Sequence, residues 1–242
     1  MNQVEVKRIV AELLPYIRYH RLNPGDRLPS ERDLCKRFDA SRNAVREALT
    51  ALEYMRVVER RPNSGIYLQT LARDTSVDAM VMFQDAGVPP LIEEVADFVE
   101  TRRILEIQSL TLACARRTDA DLSHLEAVLR ASEAEIASGK PIAELDAAFH
   151  LALVEATHNQ VFLRLVNSFY LTTRGQRQVF FRDPDQCRRS HADHLALFDA
   201  LRERDADRAV AVLERHLASV RAFWNSHAAD EDGAPGAPAS GR

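Results

Sequence analysis

No window of the 242-residue sequence approaches the ~18 uninterrupted apolar residues of a membrane helix, and the first residues, with Glu5, Lys7 and Arg8, lack the apolar block of a secretory signal. A soluble, cytoplasmic protein without a membrane partner is expected. Cysteine is scarce. Cys35, Cys114 and Cys187 are odd in number and lack CxxC spacing, which argues against a disulfide scaffold and reads as reduced thiols in or near cores. Nothing resembles the nucleophile elbow of a hydrolase. Beyond residue 70 there is no strand-like alternation and no internal repeat.

With 46% hydrophobic and 28% charged residues, the chain can bury a real core and is neither disordered nor fibrous. Domains usually run to about 100–150 residues, so the length suggests two. The net charge of −4 hides an asymmetry: residues 1–70 carry a balance of +4 and the remainder −8. His20 is the only one of eight histidines before residue 71. This points to a polyanion-binding head on a chemically different body.

The head reads as short elements. Val6, Ile9, Val10, Leu13, Leu14 and Ile17 recur at helical spacing from Val4 to Tyr19, and Asn23-Pro24-Gly25 breaks the helix. Ser30 is an N-cap for a short helix through Phe38, and Ser41 is the next N-cap. Behind Ser41, Val45, Ala48, Leu49 and Leu52 form an apolar face, while Arg42, Asn43, Arg46 and Thr50 share a neighbouring one. Two short helices joined by a tight turn, the second opening with Arg and Asn, suit a recognition helix in a major groove. Val57 to Arg60 and Ile66 to Leu68 read as strands of a wing.

The run Pro24-Gly25-Asp26-Arg27-Leu28-Pro29-Ser30-Glu31-Arg32-Asp33-Leu34, then Ser41 to Leu49, then Val58-Glu59-Arg60-Arg61 and Gly65 resembles the winged-helix domain of GntR-family transcription regulators. The resemblance implies that Arg32, Arg42 and Arg46 reach phosphates and guanine edges, and that Asn43 lies at the groove. It also implies that the wing tip, Asn63, Ser64 and Gly65, enters the minor groove, and that Ser41, at the start of the recognition helix, is a DNA-binding residue as well. Two positions depart from the family pattern. Arg56 and Asn63 stand where glycine is common, so a left-handed backbone is expected at each.

The body reads as helices near 91–117, 119–138, 142–157, 159–181, 185–203 and 205–227, after a connector in which Asp74 to Phe83 could be helical. The Ala-, Gly- and Pro-rich end from Asp230 reads as a disordered tail. Asp146 and His150 are i, i+4 on one helix and point the same way, while His194 and His216 fall on the last two helices. A bundle can gather such residues around a metal, although i, i+4 Asp/His pairs are also common as surface hydrogen bonds.

Glu100 to Glu106, Leu112-Ala113, Asp146-Ala147-Ala148-Phe149-His150, His158-Asn159, His194 and His216 together resemble the FCD ligand-binding domain of the FadR branch. The resemblance implies metal ligation by Asp146, His150, His194 and His216, with zinc the default and nickel or manganese open. It further implies effector contacts from Arg102 and Asn159, although Arg102 could instead form a surface ion pair with Glu106 at i, i+4. His191 is a spare candidate ligand, and Arg177, Arg188 and Arg189 read as solvated.

The expected fold is mainly α: a winged helix-turn-helix over 1–70, a connector over 71–90, a helical effector-binding and dimerisation domain over 91–228 and a disordered tail over 229–242. The expected function is a regulator, a repressor by resemblance, that binds palindromic double-stranded DNA as a homodimer. A small organic acid, lactate-like, dicarboxylic or sugar-derived, would control it. The alternatives are a metal-dependent hydrolase or lyase, for which no paired general base is evident apart from Glu155, and a constitutive DNA-binding dimer.

Overall fold

The computed structural model describes residues 3–70, 76–88 and 92–232. The chain divides into two compact units, Met1–Pro89 and Pro90–Arg242.

In the first unit, α1 (Gln3–Tyr19) buries Ile9, Val10, Leu13, Leu14 and Ile17 on one face, as the spacing requires. Helix α2 (Glu31–Arg37) starts at Ser30, whose side chain accepts from the Asp33 amide. Helix α3 (Arg42–Tyr54) starts at Ser41, whose Oγ accepts from the Ala44 amide at 3.2 Å. These bonds satisfy amides that a helix start leaves without partners. Leu34, Leu49 and Leu52 are at most 1% exposed, and each such side chain contributes about 1.5–3 kcal/mol by leaving water.

The wing is an antiparallel pair, β1 (Val58–Arg61) and β2 (Gly65–Leu68), in register from Val58 opposite Leu68 to Arg61 opposite Gly65. Both departures from glycine adopt the left-handed backbone: φ is 60° at Arg56 and 56° at Asn63. Helix α4 (Val77–Asp85) lies in the stretch expected as a connector, but it packs into this unit, with Ala79 and Val88 in the same buried cluster. Residues 71–75 and 89–91 of that connector lie outside the described residues.

The second unit is all helix among the described residues: α5 (Ile92–Arg116), α6 (Asp119–Ala137), α7 (Ala143–Glu155), α8 (Gln160–Thr172), α9 (Arg174–Phe180), α10 (Pro184–Glu203) and α11 (Ala206–Asp232). Thr118 and Asp121 form a reciprocal capping box at the start of α6, and Asp183 caps α10 ahead of Pro184. Leu110, Leu125, Phe149, Leu153, Leu197, Leu201 and Leu213 form the core between α5, α6, α7, α10 and α11.

Two expectations about these helices change. The single helix over 159–181 is two, because the chain breaks at Thr173 and Arg177 Nη1 donates to the Tyr170 carbonyl that the break releases. The last helix continues to Asp232, through the first four residues of the expected tail over 229–242; residues 233–242 lie outside the described residues.

Candidate functional site

Helix α3 presents Arg42, Asn43 and Arg46 to solvent at its N-terminal end, and Arg32 is exposed on α2. Their placement follows from the apolar face: Ala44, Val45, Ala48 and Leu49 turn inward, so the intervening positions face out. Arg46 Nε donates to Glu31 Oε2 at 2.8 Å, which holds its guanidinium beside the start of α2. At the wing, Asn63 and Ser64 are exposed, and Ser64 Oγ lies 2.6 Å from the Tyr67 hydroxyl. Gly65 has φ 141°, and a Cβ there would stand 2.6 Å from Arg27 Nε, so glycine lets the wing close over Arg27.

Sequence reasoning left Arg27, Arg60 and Arg61 without a role. Arg60 Nη1 donates to Thr50 Oγ1 at 3.1 Å and Glu53 Oε2 at 2.9 Å, fastening β1 to α3. The Arg61 guanidinium lies 4.2 Å from the Tyr67 ring centre. All three line the hollow between the wing and the start of α2. The only available signal was the density of arginine around the wing.

In the second unit, Asp146 and His150 project from α7, His194 from α10 and His216 from α11. Each is 1% exposed, and one ligand atom from each lies within 4.8 Å of the others. Asp146 Oδ1 is 3.4 Å from His194 Nε2 and 3.7 Å from His150 Nε2. The Phe149 ring stacks on His194 with centroids 4.3 Å apart and fixes its plane. Both oxygens of Asp146 and both ring nitrogens of His194 and His216 lack hydrogen-bond partners. A buried polar atom left unpaired costs about 1–3 kcal/mol, so their concentration at one point fits a cation drawn to all four side chains. One carboxylate with three imidazoles is a donor set for divalent transition metals.

Carboxylates stand behind two of the imidazoles. Glu106 Oε2 is 2.8 Å from His150 Nδ1, close but misaligned as a hydrogen bond, and Asp193 Oδ2 is 3.5 Å from His216 Nδ1. Sequence reasoning missed Glu106 and Asp193 as partners of this cluster. Glu106 also accepts from Arg102 Nε and from the Tyr170 hydroxyl, each at 2.5 Å. Burial alone would raise the Glu106 and Asp146 carboxyls, but Arg102 and His150 hold Glu106 below its ordinary range, and His150 and His194 do the same for Asp146.

Burial pushes His194 down to about 3 and also lowers His216, so both rings are neutral and can donate lone pairs. For His150, burial is outweighed by Glu106 and the shift is upward. Arg102 Nη2, a donor only, nevertheless lies 2.8 Å from His150 Nε2, which therefore carries a lone pair and leaves the proton on Nδ1 toward Glu106.

Arg102 reaches the cluster and lines the cavity beside it. Burial opposes its charge, but Glu106, Tyr170 and Asp146 keep the guanidinium protonated. Asn159 is not brought to this cavity. Its Oδ1 accepts from the amides of Val161 and Phe162 as the N-cap of α8, and it lines a separate surface hollow. The helix-capping preference of Asn takes precedence there over ligand contact. His191 lies outside the cluster, and Glu155 pairs with His124 at 3.5 Å. Arg188 and Arg189 are exposed, whereas Arg177 is 8% exposed and lines the cavity, contrary to the solvated reading.

Residues 97–219 match the FCD domain family, and residues 5–68 match the bacterial regulatory proteins of the gntR family. The chain is 32% identical to the HTH-type transcriptional regulator LutR of Bacillus subtilis over 209 residues, covering 84% of this chain and 94% of LutR. It is 32% identical to the galactonate operon transcriptional repressor of Escherichia coli over 217 residues, covering 86% and 92%. The solved structure of Lar from Listeria monocytogenes has the same fold, with a TM-score of 0.62, 18% identity and coverage of 91% and 96%. The hydrolase or lyase alternative falls with these matches, since the families and relatives are transcription regulators. With a winged helix followed by an FCD domain, this chain belongs to the GntR family of DNA-binding transcription regulators and is not an enzyme.

Proposed function

We propose that this regulator is a repressor whose operator affinity is set by a small carboxylate held beside a divalent metal in its second unit. The observation that carries the reading is the buried set Asp146, His150, His194 and His216, with its unpaired ligand atoms, next to a cavity lined by Arg102. Those four side chains would hold the ion, with zinc the default and nickel or manganese alternatives. The ion would supply positive charge for a ligand oxygen, and Arg102 donates to a second oxygen through its planar fork.

In the first unit, Arg32, Arg42, Asn43 and Arg46 contact DNA, and Asn63, Ser64 and Gly65 form the inserted wing tip, while Ser41 caps the reading helix. The winged helix-turn-helix occupies 1–70 and the effector domain 91–228. A homodimer places two such heads on a palindromic site. The ligand can shift DNA affinity only by its differential affinity for the two states, typically about 1–3 kcal/mol.

The test titrates full-length protein onto labelled DNA from upstream of its own operon, with bound metal quantified in the same preparation. Sequence-selective binding that a small acid changes supports the reading. Binding that ignores sequence, or that is unaltered by Arg42→Ala and Arg46→Ala, sinks it. A protein that binds selectively, holds no metal and responds to no acid is a constitutive dimer.

A further inference from the structure

The cavity beside the metal cluster contains a second buried cation. Arg177, on α9, is 8% exposed, and no described carboxylate lies within ion-pair distance of it. Its Nη1 donates to the Tyr170 carbonyl and to Thr173 Oγ1, both at 2.8 Å, but its Nε is buried with no acceptor. A buried arginine without a counter-ion is uncommon, because removing a charge from water is costly unless it is paired. Arg177 also lines the same cavity as Arg102, and the two guanidinium carbons lie 5.0 Å and 5.8 Å from the ring centre of Tyr170.

The charge balance of the cavity points the same way. Glu106 and Asp146 match Arg102 and Arg177 one for one, so a divalent ion leaves an excess of two positive charges. Asp193 does not reduce that excess, since Arg215 pairs with it at 2.8 Å. The remaining walls are largely apolar and aromatic, including Phe98, Phe169, Phe180, Val220 and Trp224. Beyond the arginines and the metal cluster the polar lining is limited to Tyr170, Thr173, Gln176 and Ser190, with Gln176 Oε1 as a free acceptor, so a polyhydroxylated acid would leave its further hydroxyls against the rings, at a cost for each. The cavity is small, about 50 Å3, which suits a short ligand.

From these observations we infer that the effector is a short dicarboxylate with a hydrocarbon middle: one carboxylate lies at Arg102 and the metal, and the second is bound by Arg177. Gln176 and the buried Ser190 line the same cavity. The assignment rests on the proposed metal-and-carboxylate reading and adds to it the ligand's charge and the residue that selects it.

The experiment uses full-length, metal-loaded protein and calorimetric titration with succinate, glutarate and adipate, each beside the monocarboxylate of equal length: butyrate, valerate and hexanoate. At least one diacid should bind ten-fold or more tightly than its monoacid partner. Arg177→Met should reduce that advantage to about threefold or less, and Arg177→Lys should retain part of it, with metal content reporting that the unit is intact. Monoacids that bind as well as diacids overturn the dicarboxylate assignment and leave the metal-and-carboxylate reading standing. If no acid in the panel binds although metal is present, both fail. A diacid advantage that survives Arg177→Met removes Arg177 from the site.

Discussion

Oε2 of Glu106 on α5 lies 2.8 Å from Nδ1 of His150 on α7, so a carboxylate stands behind the imidazole while the opposite ring nitrogen faces Asp146. Carboxylates in this position fix the tautomer and orientation of a metal-binding histidine. Glu106→Gln should therefore weaken metal affinity by roughly 10–100-fold, as is typical when such a partner is lost. Competition against a chromophoric chelator measures this, and unchanged affinity in a fully helical variant would remove Glu106 from an orienting role.

Removal of the ion should lower stability. Chelated protein resupplied with zinc at 100 times its dissociation constant should gain about 2.7 kcal/mol, because the ion binds the folded state. Asp146→Ala combined with His150→Ala should abolish both the bound metal and the rise in melting temperature. A variant that still melts higher with zinc would place the ion elsewhere.

Arg56 adopts φ 60° with its side chain exposed, between a helix end and β1. A left-handed backbone costs a residue with a Cβ about 1–2 kcal/mol. Arg56→Gly should thus shift the denaturation midpoint upward by an amount worth up to ~1 kcal/mol, after the entropy glycine adds to the unfolded chain. Asn63→Gly should gain less, since Asn tolerates this conformation best among non-glycine residues. A loss of stability in Arg56→Gly would show that the arginine stem makes a compensating contact.

Arg42→Ala and Arg46→Ala should each weaken operator binding with little change in melting, because both side chains are exposed in the free protein. A bidentate contact to guanine is worth about 1–3 kcal/mol and is lost only on the cognate sequence. A phosphate contact instead weakens all sequences and lowers the salt slope by about one. Anisotropy titrations on operator and scrambled DNA at several salt concentrations separate the two roles. If neither changes affinity, α3 does not read the site.

Ser41→Ala should cost about 1 kcal/mol of stability, the usual value of a lost N-cap, because Ser41 Oγ accepts from the Ala44 amide. Chemical denaturation followed by circular dichroism measures it.

Much of the fold was legible because its signals are local. Ser30 and Ser41 announced helix starts by side chain, Val45 to Leu52 announced a buried face by spacing, and Asp146 with His150 announced a shared direction by being one turn apart. The break at Thr173 had a local signal that helical spacing overrode: residues 172–178 hold no apolar side chain and include Thr172, Thr173 and Gly175, and across the break Arg177 turns inward to the Tyr170 carbonyl. Asn159 stands away from the cavity and serves as a helix N-cap, the local preference that its residue type carries.

The sequence by itself determined the all-helical body and the capped starts at Ser30 and Ser41, and that one helix carries an Asp/His pair while a basic head precedes an acidic body. Only the tertiary structure decided that His194 and His216 meet that pair, that Glu106 and Asp193 stand behind it, and that Arg177 is buried without a counter-ion in the same cavity. The physical reason is range. Capping and helical periodicity act within a turn or two, whereas the approach of α10 and α11 to α7 is set by packing of Phe149, Leu197 and Leu213 in the common core.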